Sequence, residues 1–401
     1  MKFVLLSCMI SPHQLPLAKS LLKYWHGQIQ YQYTESLSSE RSSMGWNDCP
    51  EKDFTTIPFD KEEAVNADAL LCGLRMLDLY KKRIQIGRWS GYMFERWFKP
   101  PWGILRLFWP PYFHMAKEII RLGKSPFFHF FPIGIHAARD LARLELLLKG
   151  NLKYLFFTPR LAFESRPGGS IVTLQEAINT KILSQDEVRF AKKNGFVQIP
   201  QKHWGKVESS GIFSKFCLWG YFVAPGENTA REKIPSLPEK ILWIGRMETF
   251  KRVSTIIYVV NLVKNLTLHL YGHGPTEKSL RLLATKNHNI NFYDFVPITH
   301  TRKLMRIHDT YILASDAYEG WGAVVSEALE ERMRVFATLE SGAGSTILPK
   351  EKLFRSGDVS ALKALLQEPS TGGKIGPWTA DEAARTLVAR IKEQTIGQQN
   401  I

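Results

Sequence analysis

Two carboxylates, Glu319 and Glu327, stand eight positions apart in the stretch DAYEGWGAVVSEALEE, either side of Gly320, Trp321 and Gly322. The apolar run at residues 311–314 reads as a short strand entering a polar turn. The run AVVSEALEERM reads as a helix with Ala323, Ala328, Leu329 and Met333 on its buried stripe. Gly320 and Gly322 sit in the turn, where they permit a positive φ and close backbone approach. A helix opening at such a turn offers unpaired N–H groups and a partial positive charge, which together hold an anion. Glu319 is expected in the loop above that site, and Glu327 about one turn into the helix. A phosphate-bearing ligand with hydroxyl groups fits: phosphate on the helix end, hydroxyls donating to the carboxylates. The plainer alternative makes Glu327 a solvated helix residue and Glu319 a loop charge.

The elements that must position these groups alternate cleanly from residue 240 onward. KILWIG, LTLHLYG, NINFY, TYILAS and RVFAT read as strands separated by helical segments. RVFATLESGAG reads as a strand and a glycine turn, and DVSALKALLQE as a helix with Asp358 at its N-cap. This spacing predicts a parallel, doubly wound α/β sheet. Ligands of such sheets bind outside the carboxyl ends of the strands. Four polar loops fall there: Gly245-Arg246 to Lys251, Gly272 to Gly274, Glu319 to Gly322, and Gly342 to Gly344.

Residues 1–225 show a less regular alternation and form the expected first domain, with KFVLLSCMI as a buried first strand and LKYLFFT and FVQIP as further apolar runs. A polar, proline-bearing linker is placed at 226–240, a second domain at 241–377 and a last helix at 378–395, capped near Thr379 and fraying after Glu393. Cys8, Cys49, Cys72 and Cys217 are scattered without a CxxC, which argues against a zinc site or disulfide framework and for a reducing compartment. No apolar run reaches the length of a membrane span. The formal net charge is +15, and ten basic residues lie between Lys81 and Lys124 against only Glu95 and Glu118. That local field seeks an anionic substrate or surface. Residues 88–131 interleave cations with Trp and Phe, and Tyr112, Phe113, Ala116, Ile119 and Ile120 recur at helical spacing, a pattern suited to a membrane interface. Nucleic acid is not an expected partner.

The ordered motifs IGRMETFKR, YGHGP, YEGWGAVVSEA and FRSGDVSALKALL resemble glycosyltransferase family 4, whose members are retaining GT-B enzymes. The resemblance spans about 125 residues and implies a fold of two Rossmann-like domains facing across a cleft. It departs from the family at Trp321, where a smaller or different aromatic residue is usual. Carried over residue by residue, it implies that Arg246 and Lys251 hold a donor diphosphate and that Glu327 accepts from the ribose. Glu319 would touch the transferred sugar, while the backbone of Gly272, Gly274, Gly320, Trp321 and Gly322 approaches the donor. His273 is expected to be a loop histidine without a role. ISPHQLPLA and FERWFKPPWG look more loosely like enzymes of bacterial capsule, O-antigen and exopolysaccharide assembly.

The resemblance therefore implies retaining transfer of a sugar from a nucleoside diphosphate sugar, UDP ahead of GDP, with no metal or other cofactor. The implied acceptor is a hydroxyl on a polyprenyl-diphosphate-linked or other oligosaccharide. The implied location is cytoplasmic, peripheral on the anionic inner face of the membrane. His13, after the first strand, is a candidate catalytic group; His129 and His136 are weaker ones. Glu95, Arg96, Trp97 and His136 are candidate acceptor or membrane contacts, against the plain alternative that Glu95 pairs with Arg96 or Lys99. Rival readings are a nucleotide-sugar epimerase on the same fold and a non-catalytic membrane-surface partner.

Overall fold

The computed structural model describes the chain except residues 43–45, 47–53, 208–210, 224–236, 286, 370–375, 377 and 400–401. Most of the expected linker, 226–240, therefore lies outside the described residues. Tertiary contacts divide the chain into two compact units. The first comprises Met1–Leu37, Pro50–Gly220 and Thr379–Ile401; the second comprises Ser38–Cys49 and Tyr221–Trp378.

In the first unit six parallel strands run in the order β3-β2-β1-β4-β5-β6. They are β1 (Lys2–Ser7), β2 (Gln28–Tyr33), β3 (Thr55–Pro58), β4 (Ala69–Cys72), β5 (Trp89–Phe94) and β6 (Phe128–Pro132). Phe3, Val4, Leu5 and Leu6 are wholly buried, as the continuous apolar run requires of a strand covered on both faces. A smaller sheet joins β7 (Leu161–Glu164), β8 (Ile171–Thr173) and β9 (Phe196–Ile199) in the order β8-β7-β9. Arg83, on the helix Leu77–Gln85, is fully buried. Its guanidinium donates to the carbonyls of Ala64 (2.6 Å), Val65 (2.9 Å), Ala67 (2.9 Å) and Trp89 (2.5 Å), and to Ser90 Oγ (3.0 Å). Burial pushes its pKa down to about 9.

The second unit repeats the same winding, in the order β12-β11-β10-β13-β14-β15, again parallel throughout. Its strands are β10 (Lys240–Ile244), β11 (Thr267–Tyr271), β12 (Ile290–Tyr293), β13 (Thr310–Leu313), β14 (Arg334–Thr338) and β15 (Leu353–Phe354). Asp358 caps the helix Val359–Gln367 as expected, its carboxylate accepting from the Ala361 N–H at 2.9 Å. Both sheets reverse direction at their centre, between β1 and β4 and between β10 and β13. Those switch points are where a doubly wound sheet leaves a crevice.

The last helix, Ala380–Gln399, packs in the first unit against the helix Leu15–Tyr24. Asp381 accepts from Lys23 (2.8 Å) and Tyr24 (2.6 Å), while Ala383, Ala384, Leu387, Val388 and Ile391 bury its inner face. Thr379 Oγ1 accepts from the Glu382 N–H and caps it. The helix runs on past Glu393, where the sequence predicts fraying.

Within the apolar run LKYLFFT, Leu152–Leu155 form a 3-10 turn whose Tyr154 and Leu155 carbonyls are taken by Arg143 (2.5 and 2.7 Å). Three local expectations are corrected. The helix after the glycine turn stops at Glu330, because Arg332 adopts a left-handed φ of 54°, and buried Met333 precedes β14 instead of lining the helix. The glycines 342 and 344 form no open turn but begin the short helix Gly342–Ile347. In the helix Pro110–Leu122 the buried stripe is Tyr112, Ala116, Ile119 and Ile120, with Phe113 facing solvent.

Candidate active site

The loops after β10 and β13 meet at the switch point of the second sheet. The Asp316 N–H donates to the Phe250 carbonyl (2.8 Å), and Arg252 Nε reaches Asp316 Oδ2 at 3.3 Å. Lys251 ends the 3-10 turn Thr249–Lys251, and its Nζ lies 2.5 Å from Glu319 Oε2. Ser315 Oγ donates to the same carboxylate oxygen at 2.8 Å. Ser315 is itself fixed, because Thr338 Oγ1 on β14 donates to its carbonyl at 2.6 Å. The Glu319 carboxylate is thus held by two donors in a mostly buried position. Arg246 is half exposed at the mouth of the same loop, where its Nε lies 2.8 Å from Glu248.

Glu327 sits in the helix Ala323–Glu330 and is 9% exposed. Burial pushes its pKa up to about 7, with the positive charge of Arg302 opposing the shift. The neighbouring buried carboxylate, Glu331, is held by Arg302 (2.7 Å) and Arg306 (2.9 Å). Tyr311 on β13 is fully buried, its phenol pushed well up by burial and by the charges of Glu319 and Glu327.

Backbone forms the rest of the site. The Met247 N–H donates to the His273 carbonyl (2.7 Å), and Thr276 donates back to the Met247 carbonyl (2.7 Å). Gly272 has a φ of 122°, and a Cβ there would lie 2.1 Å from the Gly245 carbonyl oxygen. A Cβ on Gly274 would stand 2.5 Å from the Met247 carbonyl oxygen. On the other side, Gly342 and Ala343 donate to the carbonyls of Gly320 (3.0 Å) and Trp321 (2.7 Å). Gly322 carries the positive φ, 86°, that opens the helix; Gly320 does not have one. The Trp321 side chain turns inward, 1% exposed, against Trp378 at 5.9 Å between ring centroids. His273 pairs with Glu277 (2.9 Å) and Asp294 (3.3 Å), and Glu277 raises its pKa.

The first-unit candidates lie on several elements. His13 lies in the turn after β1, its imidazole pushed down to about 4 by burial. His136 is buried in the first turn of the helix Ile135–Leu148, edge-on to Phe196. His129 is a core side chain on β6, stacked on Trp89 at 5.6 Å. Glu95 pairs with Lys99 (2.6 Å), and Arg96 lies 3.7 Å from Asp140. Trp97 is fully buried, with the Arg75 guanidinium 4.8 Å over its ring, so its side chain does not form the exposed surface expected of a membrane contact. Among the described residues there is no group of three or more His, Cys, Asp or Glu placed to hold a metal.

Sequence reasoning missed Ser315, Asp316, Tyr311 and Arg302. Ser315 and Asp316 lie immediately after an apolar strand, which is a usable signal. Arg302 and Tyr311 act through tertiary placement alone.

A family model described as glycosyl transferases group 1 matches residues 226–372. No curated protein matches the chain. Among solved structures, Anabaena HepE in complex with UDP matches over 100% of both chains at 13% identity and a TM-score of 0.51. The fold is GT-B. A mutant of Staphylococcus aureus TarM, in complex with fondaparinux, alpha-GlcNAc-glycerol and UDP, matches at 14% identity and a TM-score of 0.40. That match covers 82% of this chain and 52% of TarM, so the chain spans about half the length of that relative. The catalytic domain of Helicobacter pylori cholesterol-alpha-glucosyltransferase matches at 23% identity and a TM-score of 0.30, covering 41% of this chain and 96% of that one. The group 1 match falls on the second of the two GT-B units and spans every loop of the site just described. No helix among the described residues is long and apolar enough to cross a membrane.

Proposed function

We propose that this chain is a retaining glycosyltransferase of family 4. It transfers a sugar from a nucleoside diphosphate sugar, UDP ahead of GDP, to an acceptor hydroxyl. The observation that carries this reading is the Lys251–Glu319 pair across the switch point, with buried Glu327 eight residues on and backbone-only loops around it. A cation and a carboxylate already in contact are two hands of one grip. A donor entering between them gives its phosphate to Lys251 and Arg246 and its sugar hydroxyls to Glu319. Glu327 then accepts from the ribose. HepE, bound to UDP in its structure, supports the choice of nucleotide.

In this mechanism the bond between the anomeric carbon and the phosphate oxygen breaks, and the acceptor oxygen bonds to the same face. The departing phosphate oxygen takes the acceptor proton, so no separate base is required. Lys251, Arg246 and the helix N-terminus at Gly322 stabilise the negative charge that develops on that phosphate. The acceptor is a polyprenyl-diphosphate-linked glycan in bacterial surface polysaccharide assembly, of the capsule or O-antigen kind, met at the anionic inner face of the cytoplasmic membrane.

A thermal-shift screen with UDP, GDP, ADP and CMP tests the donor site. Saturating UDP at about 100 times its Kd stabilises by about 2.7 kcal/mol, a shift of a few degrees. That shift is expected to vanish in Arg246→Ala. If no nucleotide moves the melting temperature, the donor reading fails.

A further inference from the structure

The helix Pro110–Leu122 buries the stripe expected of a membrane contact, yet a different surface of the first unit is strongly apolar. Phe108, Phe113, Leu144, Leu148, Leu152 and Leu155 line a groove of about 670 Å3. That volume falls within the range of small-molecule sites, about 300–1,000 Å3. Two separate segments supply it: the turn and helix spanning 103–122, and the helix Ile135–Leu148 with the turn after it. Beside these lining residues, Trp102, Trp109 and Phe157 are each at least 64% exposed, and Phe156 is 84% exposed. Aromatic rings so exposed and so clustered mark a contact surface. The groove is preformed, because Arg143 ties the turn Leu152–Leu155 to its helix through two backbone carbonyls.

Charge decides what covers it. Lys117 lines the groove itself. A second cavity, of about 430 Å3, shares Leu148 with the first and carries Lys124, Lys149 and Lys215. Glu145 pairs with Lys149 there, and Lys215 donates to the Ser125 carbonyl. An apolar slot leading into a cationic pocket has the order of a lipid: chain, then phosphate. A second copy of a chain with a formal charge of +15 would bring like charge against like.

We propose that this surface docks on an anionic phospholipid leaflet, with one hydrocarbon chain in the groove and the phosphate on the lysines beside it. The proposal deepens the membrane part of the function above and rests on that reading only for which membrane is met. It needs neither donor nor acceptor to be tested.

The test is vesicle flotation of the full chain with phosphatidylcholine alone and with phosphatidylcholine mixed with phosphatidylglycerol. Binding is expected only to the mixed vesicles and should weaken in high salt. The double change Phe156→Ser/Phe157→Ser, on surface rings, should lower the bound fraction about tenfold or more. Leu152→Glu, which puts a carboxylate at the groove, should do the same, with circular dichroism melting checking that both variants fold. Equal binding to both vesicle types, binding untouched by these changes, or no binding would each overturn the proposal. So would a dimer in solution that the Phe pair dissolves, since the occupant would then be a second copy. Nucleotide binding by the same variants reads the donor site separately. Its absence beside intact vesicle binding would sink the donor reading alone.

Discussion

Lys251 Nζ and Glu319 Oε2 lie 2.5 Å apart across the switch point of the second sheet, joining the loop after β10 to the loop after β13. The pair is only partly exposed, so it is screened less than a surface ion pair. On the proposed function, the entering donor separates the pair. Glu319→Gln keeps the shape and removes the charge. Turnover is expected to fall about 100-fold or more, the scale seen when one stabilising group is removed from a transition-state site. Lys251→Ala should fall as far and also weaken UDP. Steady-state kinetics on both variants separate the roles: Glu319→Gln mainly in kcat, Lys251→Ala in both constants. Near wild-type turnover in either would remove that residue from the site.

Glu327 is expected to make the stability of the protein depend on pH. Its carboxyl is raised from 4.5 to about 7 in the folded state. The unfolded chain therefore loses this proton first, and the folded state loses stability as pH climbs from about 4.5 to 7. The full loss is about 3 kcal/mol for a group this deeply buried. Glu327→Gln is expected to melt with wild type at pH 4 and above it at pH 8. The same variant should bind UDP more weakly at pH 8, where the carboxylate is lost as an acceptor. Parallel melting curves for the two proteins at both pH values would show that Glu327 keeps an ordinary pKa.

Gly272 has no room for a side chain. Gly272→Ala would set a Cβ 2.1 Å from the Gly245 carbonyl at a φ that L residues avoid. The cost is expected at about 2 kcal/mol or more, with loss of nucleotide binding because the loop must move. Chemical denaturation followed by a UDP titration checks both. An unchanged midpoint would mean that the two loops tolerate separation.

Arg83 is the test case for the first unit. Arg83→Leu keeps apolar bulk but leaves the carbonyls of Ala64, Val65, Ala67 and Trp89 without their donor. Destabilisation of about 3 kcal/mol or more is expected. Urea denaturation followed by circular dichroism measures it. A loss well under that figure would mean that water replaces the guanidinium.

Much of the second unit is legible in the sequence because its strands are short apolar runs, two of them ended by Gly245 and Gly272, and its helix Val359–Gln367 carries its own cap at Asp358. The acidic pair at Glu319 and Glu327 is legible for the same reason: its spacing is fixed by one local turn. Local signals fail where tertiary contact overrides them. LKYLFFT has the composition of a strand, but Arg143 takes its carbonyls and no neighbouring strand does. Arg83 carries no mark of burial in sequence, since its partners come from separate segments. Trp97 looks amphipathic beside Glu95 and Arg96, yet Arg75 and Tyr112 close over it. The docking groove is half visible in the sequence: its aromatic residues between 102 and 113 stand out, but the turn at Leu152–Leu155 that completes it does not.

The glycines of the site have a consequence for how it can change. Gly272 abuts Gly245, Gly274 abuts Met247, and Gly342 abuts Gly320, main chain against main chain with no side chain interposed. Loops in such contact behave as a single laminate: none can slide or swell without displacing its neighbour. Variation among chains with this arrangement should then be concentrated in side chains that project from the laminate without gripping the phosphate, while the layer itself stays constant. A change of sugar preference would come from altering the fittings on a fixed plate, and attempts to reshape the plate should return unfolded protein before they return a new specificity.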